Sequence, residues 1–489
     1  MKIVNLKNTQ LKEIKKTLEY KKDNTSYYFP MIREYKNPFI YESKDISRVY
    51  GRLSLMGFDP CLKISGKDQI FSIQVLNSRG RLFFDHINQS DFEDLASFAK
   101  TETQIQAEIN IKKYTFNEDQ RVSQNTTLSA LRVILDKFKT KNKVFLGLYG
   151  AFSYDIVRLY EDIGNHAQDE GVDDFCFFIY DSFLHFDHLK EKAEMILYRE
   201  KEEDIDFKNQ IETGDFEISN QSFDQSKEEY MQNVLSAKDL ALKGELFEVV
   251  FARKMEADFK GDSFALYERY RDINPSPYMF YFDFGDDEYL VGASPEMMIR
   301  VERGKVHVRP ISGTAKREND LIKDHENMLK LLNSEKERSE LDMLIDLARN
   351  DLARISEKGV EITEYRTVEK YSRVMHTVAH VQAKLKNGLV ALDAYISSAN
   401  AGTLTGAPKV AAMRQIELHE KTRRGFYGGG IGYLAFNGDM DTGIIIRTAH
   451  IKQGKLSYRA GATLLYDSDP KAEIEETENK SRAFLDTFC

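Results

Sequence analysis

The stretch "PYMFYFDFGDDEYLVGASPEMMIRVERGKVHVRPIS", residues 277–312, decides the fold class of this chain. It contains three apolar segments that are predicted strands, over 277–284, 288–301 and 305–312, separated by short turn sequences that include glycine. Neighbouring strands joined by such turns read as hairpins. A long helix is predicted directly after them, over roughly 321 to 355. Hairpin-like strands with helices between the groups predict a large mixed α/β, or α+β, sheet assembly and not a Rossmann fold.

The rest of the chain alternates in the same way. A final helix is predicted from about Pro470, where Asp469 supplies the cap. We find no repeat at a fixed period, and no GxGxxG or GxxxxGK[ST] motif sits at a strand-to-helix turn, so nucleotide binding has no support. The other predicted strands are "PFIYES", "QIFSIQVL", "GRLFFD", "KVFLGLYGAFSYD", "FCFFIYDSFLHF", "GFYGGGIGYLAF", "DTGIIIRTAHI" and "KLSYRAGATLLYD".

A polar, charged segment at 199–225 divides the chain and predicts a linker or an exposed excursion. Directly after it, Ser226 and Glu229 form a capping box that opens a helix through about Lys243. At 489 residues the chain also exceeds the usual size of a single core. We therefore expect two parts, residues 1–225 and 226–489.

Composition limits the classes of function. The chain is 42% apolar and 30% charged, and it has neither a run of eighteen apolar residues nor an apolar signal segment, so no membrane association is expected. The net charge of −10 argues against nucleic acid as the main partner. Cys61, Cys176 and Cys489 are too few and too scattered for a disulfide framework, which favours a cytoplasmic location.

Two carboxylates are candidates for a metal site. Glu473, Glu476 and Lys480 share one face of the final predicted helix, which suits either a solvated face with one ion pair or a carboxylate that binds Mg²⁺. Glu340 lies on an otherwise apolar helix face, where an acid is costly unless it is paired or metal-bound. A structural salt bridge remains the alternative for Glu340.

Other polar groups suggest the recognition of an anion. His376 lies in an apolar run, four residues before His380, which leaves a buried histidine, a zinc pair and acid–base work as alternatives. Glycine- and hydroxyl-rich loops at 400–410 and 459–465 suit either backbone contacts to an anion or ordinary turns. Arg447, on a predicted apolar strand, needs a carboxylate partner. Together these groups suit a small dicarboxylate or hydroxy acid that undergoes elimination.

Seven sequence strings resemble the chorismate-utilising enzymes, and among them anthranilate synthase component I. The resemblance is dense from about 226 to 485 and thinner in the first half. It implies a large antiparallel-rich β-sandwich flanked by helices. Residues 1–225 would form a tryptophan-binding regulatory part intertwined with the core, and residues 226–489 would form the chorismate-binding catalytic domain. The strings are "PISGTAKRE", "SELDMLIDLARNDLARI", "YSRVMHTVAHV", "NAGTLTGAPKVAAMRQIE", "YGGGIGYLAFNGDMDTGIIIRTA", "RAGATLLYDSDPKAEIEETENKSRA" and "NPSPYMFYF".

The resemblance also implies roles for individual residues. Glu340 and Glu476 would hold Mg²⁺, steadied by Lys480. Glu296 would protonate the departing ring hydroxyl, and His376 would take part in the later elimination of pyruvate. The residues implied in substrate binding are Gly313, Thr314, Thr403, Tyr433, Arg447, Ala460, Gly461 and Ala462. The residues implied in inhibitor binding are Glu42, Ser43, Asn274, Pro275, Met279 and Phe280.

The implied reaction converts chorismate and ammonia to anthranilate and pyruvate in tryptophan biosynthesis, with feedback inhibition by tryptophan. No glutaminase is found in the chain, so ammonia would come from a separate glutamine amidotransferase subunit, in a heterotetramer of two large and two small subunits. Ser312 replaces the lysine that aminodeoxychorismate synthases typically carry, which favours direct addition of ammonia. Glu248 replaces the lysine of water-adding relatives and the glutamine of ordinary anthranilate synthases. An aminodeoxychorismate or aminodeoxyisochorismate synthase component I, or a catalytically dead subunit, remains the alternative.

Overall fold

The computed structural model of the chain describes residues 2–44, 53–110, 124–201, 207, 211–371 and 374–488. Its strands, in chain order, are β1 Lys2–Asn5, β2 Gln10–Leu18, β3 Phe39–Glu42, β4 Leu53–Gly57, β5 Leu62–Lys67, β6 Ile70–Val75, β7 Ala96–Lys100, β8 Gln104–Ile109, β9 Gly147–Phe152, β10 Phe175–Ile179, β11 Ser182–Asp187, β12 Lys192–Arg199, β13 Phe216–Phe223, β14 Glu248–Gly261, β15 Tyr278–Gly285, β16 Glu288–Ser294, β17 Met297–Glu302, β18 Lys305–Val308, β19 Ile311–Lys316, β20 Ser356–Lys370, β21 Val374–Leu385, β22 Gly406–Ala407, β23 Gly430–Ala435, β24 Met440–Ile444, β25 Thr448–Lys452 and β26 Lys455–Leu464. The α-helices are α1 Asn24–Ile32, α2 Arg81–Phe84, α3 Thr127–Lys137, α4 Lys227–Leu242, α5 Ser263–Ile273, α6 Leu321–Asn333, α7 Glu335–Ala353, α8 Ala391–Ser398, α9 Gly402–Thr405, α10 Lys409–His419 and α11 Pro470–Leu485. None of the described helices is long and apolar enough to cross a lipid bilayer.

The strands form two large antiparallel sheets. The first sheet runs β1-β2-β12-β11-β4-β3-β15-β16-β25-β26-β14-β13, with β22 on β14. The second runs β19-β21-β18-β17-β24-β23-β9-β10-β5-β6-β8-β7, with β20 on β21. The expected antiparallel-rich sandwich flanked by helices is confirmed.

The two sheets pack face to face through aromatic side chains. Phe39 in the first sheet stacks on Tyr149 in the second, with ring centroids 4.9 Å apart. The sequence of β15 is almost continuously apolar because its side chains enter two different cores. Phe280 belongs to the core between the sheets, and Met279 belongs to a second core that includes Tyr267 of α5. Since successive side chains of a strand point to opposite faces, both faces of β15 are buried.

The strand order has an internal two-fold pattern that sequence reasoning missed. In the first sheet, the order outward from β3 (β3-β4-β11-β12-β2-β1) is equivalent to the order outward from β15 (β15-β16-β25-β26-β14-β13). In the second sheet, β9-β10-β5-β6-β8-β7 is equivalent to β23-β24-β17-β18-β21-β19. β1–β12 therefore form one half of the sandwich, and the strands from β13 onward form the other. The sequence has no repeat at a fixed period, but the order of strands is repeated in the two halves.

The chain passes between the sheets at equivalent places in the two halves: β4 to β5, β10 to β11, β16 to β17, and β24 to β25. The β16–β17 crossing contains "GASPE", residues 292–296, and the β4–β5 crossing contains "GFDPC", residues 57–61. Pro295 lacks the N–H that a continuing central strand needs, so the strand ends there. The single strand expected over 288–301 is thus two strands in different sheets.

Three other local expectations were wrong in part. "GRLFFD" is helical and not extended, because Asn77 accepts a hydrogen bond from the Gly80 N–H at 3.1 Å and turns the chain. The segment 199–225, expected as a linker or an exposed excursion, contains β13, a largely exposed strand that pairs with β14 at the edge of the first sheet. The long helix expected over 321–355 is divided into α6 and α7 at Ser334, whose hydroxyl accepts from the Glu337 N–H and caps α7.

The boundary expected near residue 225 falls just after β13, but the two parts share both sheets. β3 pairs with β15, and β9 pairs with β23. The regulatory role of 1–225 and the catalytic role of 226–489 stay predictions. The expected α4 is present, and Ser226 and Glu229 form the capping box.

Candidate active site

Two adjacent crossings between the sheets bring Glu296 and Arg447 to the same region. Glu296 lies between β16 and β17, and Arg447 lies between β24 and β25. The Ile444 N–H donates to the Glu296 carbonyl oxygen at 3.0 Å and ties the two crossings together. Sheet switching therefore places both side chains near the C-terminal end of β24.

The Glu296 side chain is partly buried, and its carboxyl group has two polar neighbours, Thr403 and Arg447. Thr403, in the short helix α9, donates a hydrogen bond to it at 3.1 Å. Burial raises the pKa of Glu296 to about 7, although Thr403 and the charge of Arg447 act in the opposite direction. A cavity lined by Glu296, Thr403, Pro310 and Leu344 opens beside it. The group can therefore hold a proton near neutral pH, as a general acid requires.

Arg447 is not strand-borne as expected. It lies in the crossing with φ of 50°, a conformation that non-glycine residues seldom adopt. Within the described part of the chain, no hydrogen bond or ion pair occupies its guanidinium group. An arginine in this setting is available for a carboxylate from outside the protein.

The β10–β11 crossing in the first half is equivalent to the β24–β25 crossing that carries Arg447, and it is already occupied by charge pairs. Asp181 follows β10 there and lies 2.7 Å from Arg79 Nε and 2.9 Å from Arg199 Nη1. Cys61 stands at the place of Glu296 in the repeated Gly-x-x-Pro pattern. The first half thus neutralises its own arginines internally, whereas the second half leaves Arg447 for a ligand.

His376 lies on β21 beside the bulge of β19. Its Nδ1 donates to the Gly313 carbonyl oxygen at 2.8 Å, which leaves Nε2 as the acceptor nitrogen. Burial lowers the pKa of His376, and the charge of Arg447 lowers it further, whereas the bond to Gly313 raises it. The Thr314 hydroxyl lies 3.1 Å from the same Nδ1. The imidazole is therefore neutral and oriented.

Gly313 is required at the bulge of β19. Its φ is 69°, and a Cβ atom there would lie 2.6 Å from a Glu337 oxygen. The motif around it is a strand, since β19 is paired with β21.

The zinc pair of His376 and His380 is not formed. Both lie on strand β21, where a spacing of four residues separates them by roughly 13 Å. His380 instead faces His307, with 3.0 Å between Nε2 and Nδ1.

Carboxyl groups from three elements gather at the other side of the site. Burial raises the pKa of Glu340 on α7, and the neighbouring Glu337 raises it further. Burial and the charge of Glu340 raise the pKa of Glu248, at the start of β14, to about 7. On α11, burial and Glu476 raise the pKa of Glu473. This crowding of acids is costly unless a cation or protons are present.

Lys480 joins α11 to the glycine-rich strand. Its Nζ lies 2.8 Å from Glu476 and donates to the Gly461 carbonyl oxygen at 3.0 Å. The Lys480–Glu476 ion pair that was expected as one alternative is therefore present. Glu340 has no salt bridge in the described structure. Ala460, Gly461 and Ala462 all lie on β26 and pair with β14.

The acids fit a divalent cation as a donor set. One buried oxygen of Glu473 has no hydrogen-bond partner. No three His, Cys, Asp or Glu side chains among the described residues are arranged to hold a metal by themselves. Mg²⁺ commonly takes one or two carboxylates and fills its remaining positions with water and substrate oxygens, so the residues present suit it.

Tyr433 is partly buried against the core between the sheets. Its ring packs against Tyr149 at 5.6 Å and Tyr41 at 6.4 Å, in the core between the sheets. Its role toward substrate stays a prediction that this packing does not favour. Tyr427 was missed: an ideal Cβ on Gly461 would lie 3.1 Å from its hydroxyl. Its place at the start of the "YGGG" run was the available signal.

The residues expected to bind an inhibitor lie around the β3–β15 pair. Glu42 pairs with Met279 in register. The Glu42 carboxylate accepts hydrogen bonds from Thr25 and Tyr267, both at 2.6 Å, and lies 2.8 Å from Arg271 Nε.

The other expected inhibitor residues do not all face one way. Asn274 and Pro275 lie between α5 and β15, and Asn274 donates to the Ala293 carbonyl oxygen at 3.3 Å. Met279 and Phe280 point to opposite faces of β15, and Ser43 follows β3. Their role stays a prediction.

Comparison with known proteins connects this chain to one family. A sequence model described as chorismate binding enzyme matches residues 82–486. Anthranilate synthase component 1 of Vibrio cholerae is 32% identical over 517 residues, covering 99% of this chain and 98% of its own. The anthranilate synthase of Azospirillum brasilense is 35% identical over 450 residues, covering 90% of this chain, which spans only 61% of that longer protein.

Solved structures agree. Anthranilate synthase component I from Streptococcus pneumoniae superposes with a TM-score of 0.69 at 30% identity, covering 90% of this chain and 93% of its own. The menaquinone-specific isochorismate synthase of Escherichia coli has the same TM-score at 15% identity, covering 100% of this chain and 96% of its own, and shows the shared fold alone. The chain belongs to the chorismate binding enzyme family.

Proposed function

We propose that the chain is the large subunit of an anthranilate synthase, which converts chorismate and ammonia to anthranilate, pyruvate and water in tryptophan biosynthesis. The observation that carries this proposal is the position of Arg447, whose guanidinium group has no hydrogen bond or ion pair among the described residues, beside Glu296, whose pKa is raised by burial to about 7. A proton donor next to an anion-binding arginine suits a substrate that, like chorismate, carries carboxylate groups and a hydroxyl that is a poor leaving group. The relatives named anthranilate synthase support the same choice.

The reaction has two stages, amination of the ring and elimination of pyruvate, and in this scheme Glu296 acts in the first and His376 in the second. As ammonia forms its bond to C2 of the ring, the bond from C4 to the hydroxyl breaks, and Glu296 gives that oxygen a proton so that water leaves. The ring then loses the proton at C2, the bond from C3 to the enolpyruvyl oxygen breaks, and the departing enolpyruvate takes up a proton to become pyruvate. The neutral His376, held through Nδ1 by Gly313, has Nε2 available for proton transfer at this stage.

Arg447 binds a substrate carboxylate in this scheme, and the backbone of Ala460 to Ala462 lies along the ring. Glu340 and Glu476 would hold Mg²⁺, which supplies orientation and charge neutralisation for the bound carboxylate. Lys480 links Glu476 to the Gly461 carbonyl oxygen and keeps α11 against β26.

Ammonia is supplied, in this proposal, by a separate glutamine amidotransferase subunit, in a heterotetramer of two large and two small subunits. "Component 1" in the names of relatives supports a second component. Ser312 is too short to attack the ring as a lysine would, so ammonia adds directly. The cytoplasmic location of the assembly stays a prediction.

Tryptophan inhibits the enzyme, in this proposal, by binding near Glu42 and Asn274, at the junction of the two halves of the sandwich. Support comes from the adjacency of β3 and β15, which brings residues from both halves to one place.

The test is turnover by the purified chain with chorismate, Mg²⁺ and an ammonium salt at alkaline pH. Anthranilate fluorescence and pyruvate release are expected to rise together. An amino product without pyruvate would instead identify an aminodeoxychorismate or aminodeoxyisochorismate synthase. Pyruvate without anthranilate would also overturn the proposal, and no turnover would indicate a catalytically dead subunit.

A further inference from the structure

A fully buried ion pair lies directly behind the candidate active site. Arg424 and Glu420 expose only 1% and 2% of their side chains. The two Glu420 carboxylate oxygens lie 3.0 Å from Arg424 Nε and 2.5 Å from Nη2, and one of them also accepts a hydrogen bond from the Ala252 N–H at 3.0 Å. Because desolvation offsets most of the attraction within a buried ion pair, stability alone does not account for this one.

Arg424 also donates to two backbone carbonyl groups in the walls of the site. Its Nη1 donates to the Leu404 carbonyl oxygen at 2.6 Å, and its Nη2 donates to the Val250 carbonyl oxygen at 2.8 Å. Leu404 belongs to α9, and Val250 belongs to β14. The guanidinium carbon also lies 5.4 Å from the ring centroid of Tyr427. One side chain therefore joins α9 to β14 from behind.

The short helix α9 needs such a connection. A helix of four residues leaves most of its carbonyl groups without partners inside the helix, and Ala401 supplies no side-chain cap at its start. The same turn carries Thr403, one residue before Leu404, whose hydroxyl donates to the Glu296 carboxyl group at 3.1 Å. The hydrogen bond from Thr403 to Glu296 therefore depends on how α9 is held.

We propose that Arg424, oriented by Glu420, is a positioning residue that holds α9 so that Thr403 keeps its hydrogen bond to Glu296. This inference rests on the proposed function, because it assigns Arg424 to the step in which Glu296 is the general acid. Arg424 touches neither the substrate nor the reacting atoms in this scheme. It acts through the Leu404 carbonyl oxygen and the main chain of α9.

The hydrogen bond from Thr403 affects the titration of Glu296. Burial raises the pKa of Glu296, whereas the bond from Thr403 and the charge of Arg447 lower it. Arg309 and Asp351 are the other charged side chains that line the cavity with Glu296. Loss of the Thr403 bond should therefore raise the pKa of Glu296 further, so that this general acid keeps its proton to a higher pH.

The test is Arg424→Lys, which keeps a positive charge beside Glu420 but loses the planar donor set that reaches both carbonyl oxygens. At constant free ammonia, kcat/KM for chorismate is expected to fall about 10- to 100-fold. Its alkaline limb is expected to move about half a pH unit to one pH unit higher. Thr403→Val should give the same shift, and the double variant should lose no more than about twofold beyond the larger single loss, because both substitutions break one connection.

Arg199→Lys is the matched control for the loss of a buried arginine. Arg199 lies 2.9 Å from Asp181, with its side chain 4% exposed, in the half of the sandwich that does not carry Glu296. Arg199→Lys is expected to lower the melting temperature, followed by circular dichroism, without moving the alkaline limb.

Two further measurements keep the proposal testable. If Arg424→Lys does not fold, Arg424→Gln combined with Glu420→Gln leaves no unpaired charge and is expected to show the same shift of the limb. The titration of Glu296 can also be followed without substrate, by carboxyl carbon NMR of the glutamate-labelled chain, as the signal that Glu296→Gln lacks. Its midpoint is expected to rise in the Arg424 variants.

An unmoved alkaline limb in a folded Arg424 variant would overturn the positioning role, as would losses that simply add in the double variant. An equal shift in Arg199→Lys would overturn it too, because the effect would then be one of general destabilisation. If the unaltered chain turns over no chorismate, it is the proposed function that fails, and the NMR midpoint alone then decides whether Arg424 positions Thr403 on Glu296.

Discussion

At the scale of single residues, burial sets the protonation of the groups in the candidate site. Burial raises the pKa of the Glu296 and Glu340 carboxyl groups and lowers the pKa of the His376 imidazole. The spacing of His376 and His380 allowed a zinc pair only if both lay on a helix, where residues four apart are neighbours. On a strand the same spacing separates them by roughly 13 Å. The free guanidinium of Arg447 depends on which carboxylates the fold brings near it, and no local pattern reports that.

The pKa of Glu296 leads to a prediction for the pH profile. Because burial raises it to about 7, the group is protonated below pH 7 and loses its proton as the pH rises. A general acid must carry that proton, so kcat/KM for chorismate, measured at constant free ammonia, is expected to fall above about pH 7. Glu296→Gln should remove this alkaline limb and lower kcat/KM by about 10²–10⁴-fold. An unchanged limb in the variant would show that another group titrates.

Glu340 leads to a prediction for metal dependence. Glu340→Gln is expected to lower Mg²⁺-dependent turnover by about a hundredfold or more, because it removes a charged ligand. The variant should unfold at the same temperature or higher, since a crowded acid is removed. Asp346→Asn, on the same helix with a side chain 79% exposed, is the matched control. Normal activity of Glu340→Gln would remove the metal assignment.

At the scale of elements, hairpins and capped helices were predictable, and changes of sheet were not. The apolar run at 277–284 identified β15, and the box at Ser226 and Glu229 identified α4. The run at 288–301 reads as one continuous strand, but its "GASPE" segment carries the chain from β16 in one sheet to β17 in the other. Which sheet a strand joins depends on packing between distant segments, such as Phe39 against Tyr149.

The aromatic contact between the sheets gives a stability prediction. Phe39 is fully buried and also stacks on Phe282 at 4.9 Å. Phe39→Ala is expected to lower the free energy of unfolding by about 3–5 kcal/mol, measured by urea denaturation followed by circular dichroism. Leu189→Ala, at a residue 64% exposed, should change it by less than about 0.5 kcal/mol. Equal effects would mean that this contact does not join the sheets.

At the scale of the whole molecule, two halves of equivalent strand order carry different chemistry. The first half closes its crossing with Asp181 and two arginines, and the second leaves Arg447 open to a ligand. The sequence showed no periodic repeat because the halves share strand order and a Gly-x-x-Pro crossing and little more. The residues expected to bind tryptophan lie where the halves meet, so a ligand there would contact both.

Tryptophan binding can be measured without background, because the chain contains no tryptophan. Excitation at the red edge of indole absorption then reports only the added ligand, whose emission is expected to shift on binding. Asn274→Ala should weaken binding about three- to tenfold by loss of polar contacts. Asp272→Asn, an exposed neighbour whose side chain pairs with Lys44, should not. A signal identical to that of free tryptophan would exclude this inhibitor site.

The most direct test of the central claim is the ratio of products formed from chorismate in the presence of Mg²⁺ and ammonia. The scheme built on Glu296, His376 and Arg447 predicts one anthranilate for each pyruvate throughout the progress curve. Accumulation of an aminated ring that still carries its enolpyruvyl group would contradict it, because the elimination assigned to this site would then not occur.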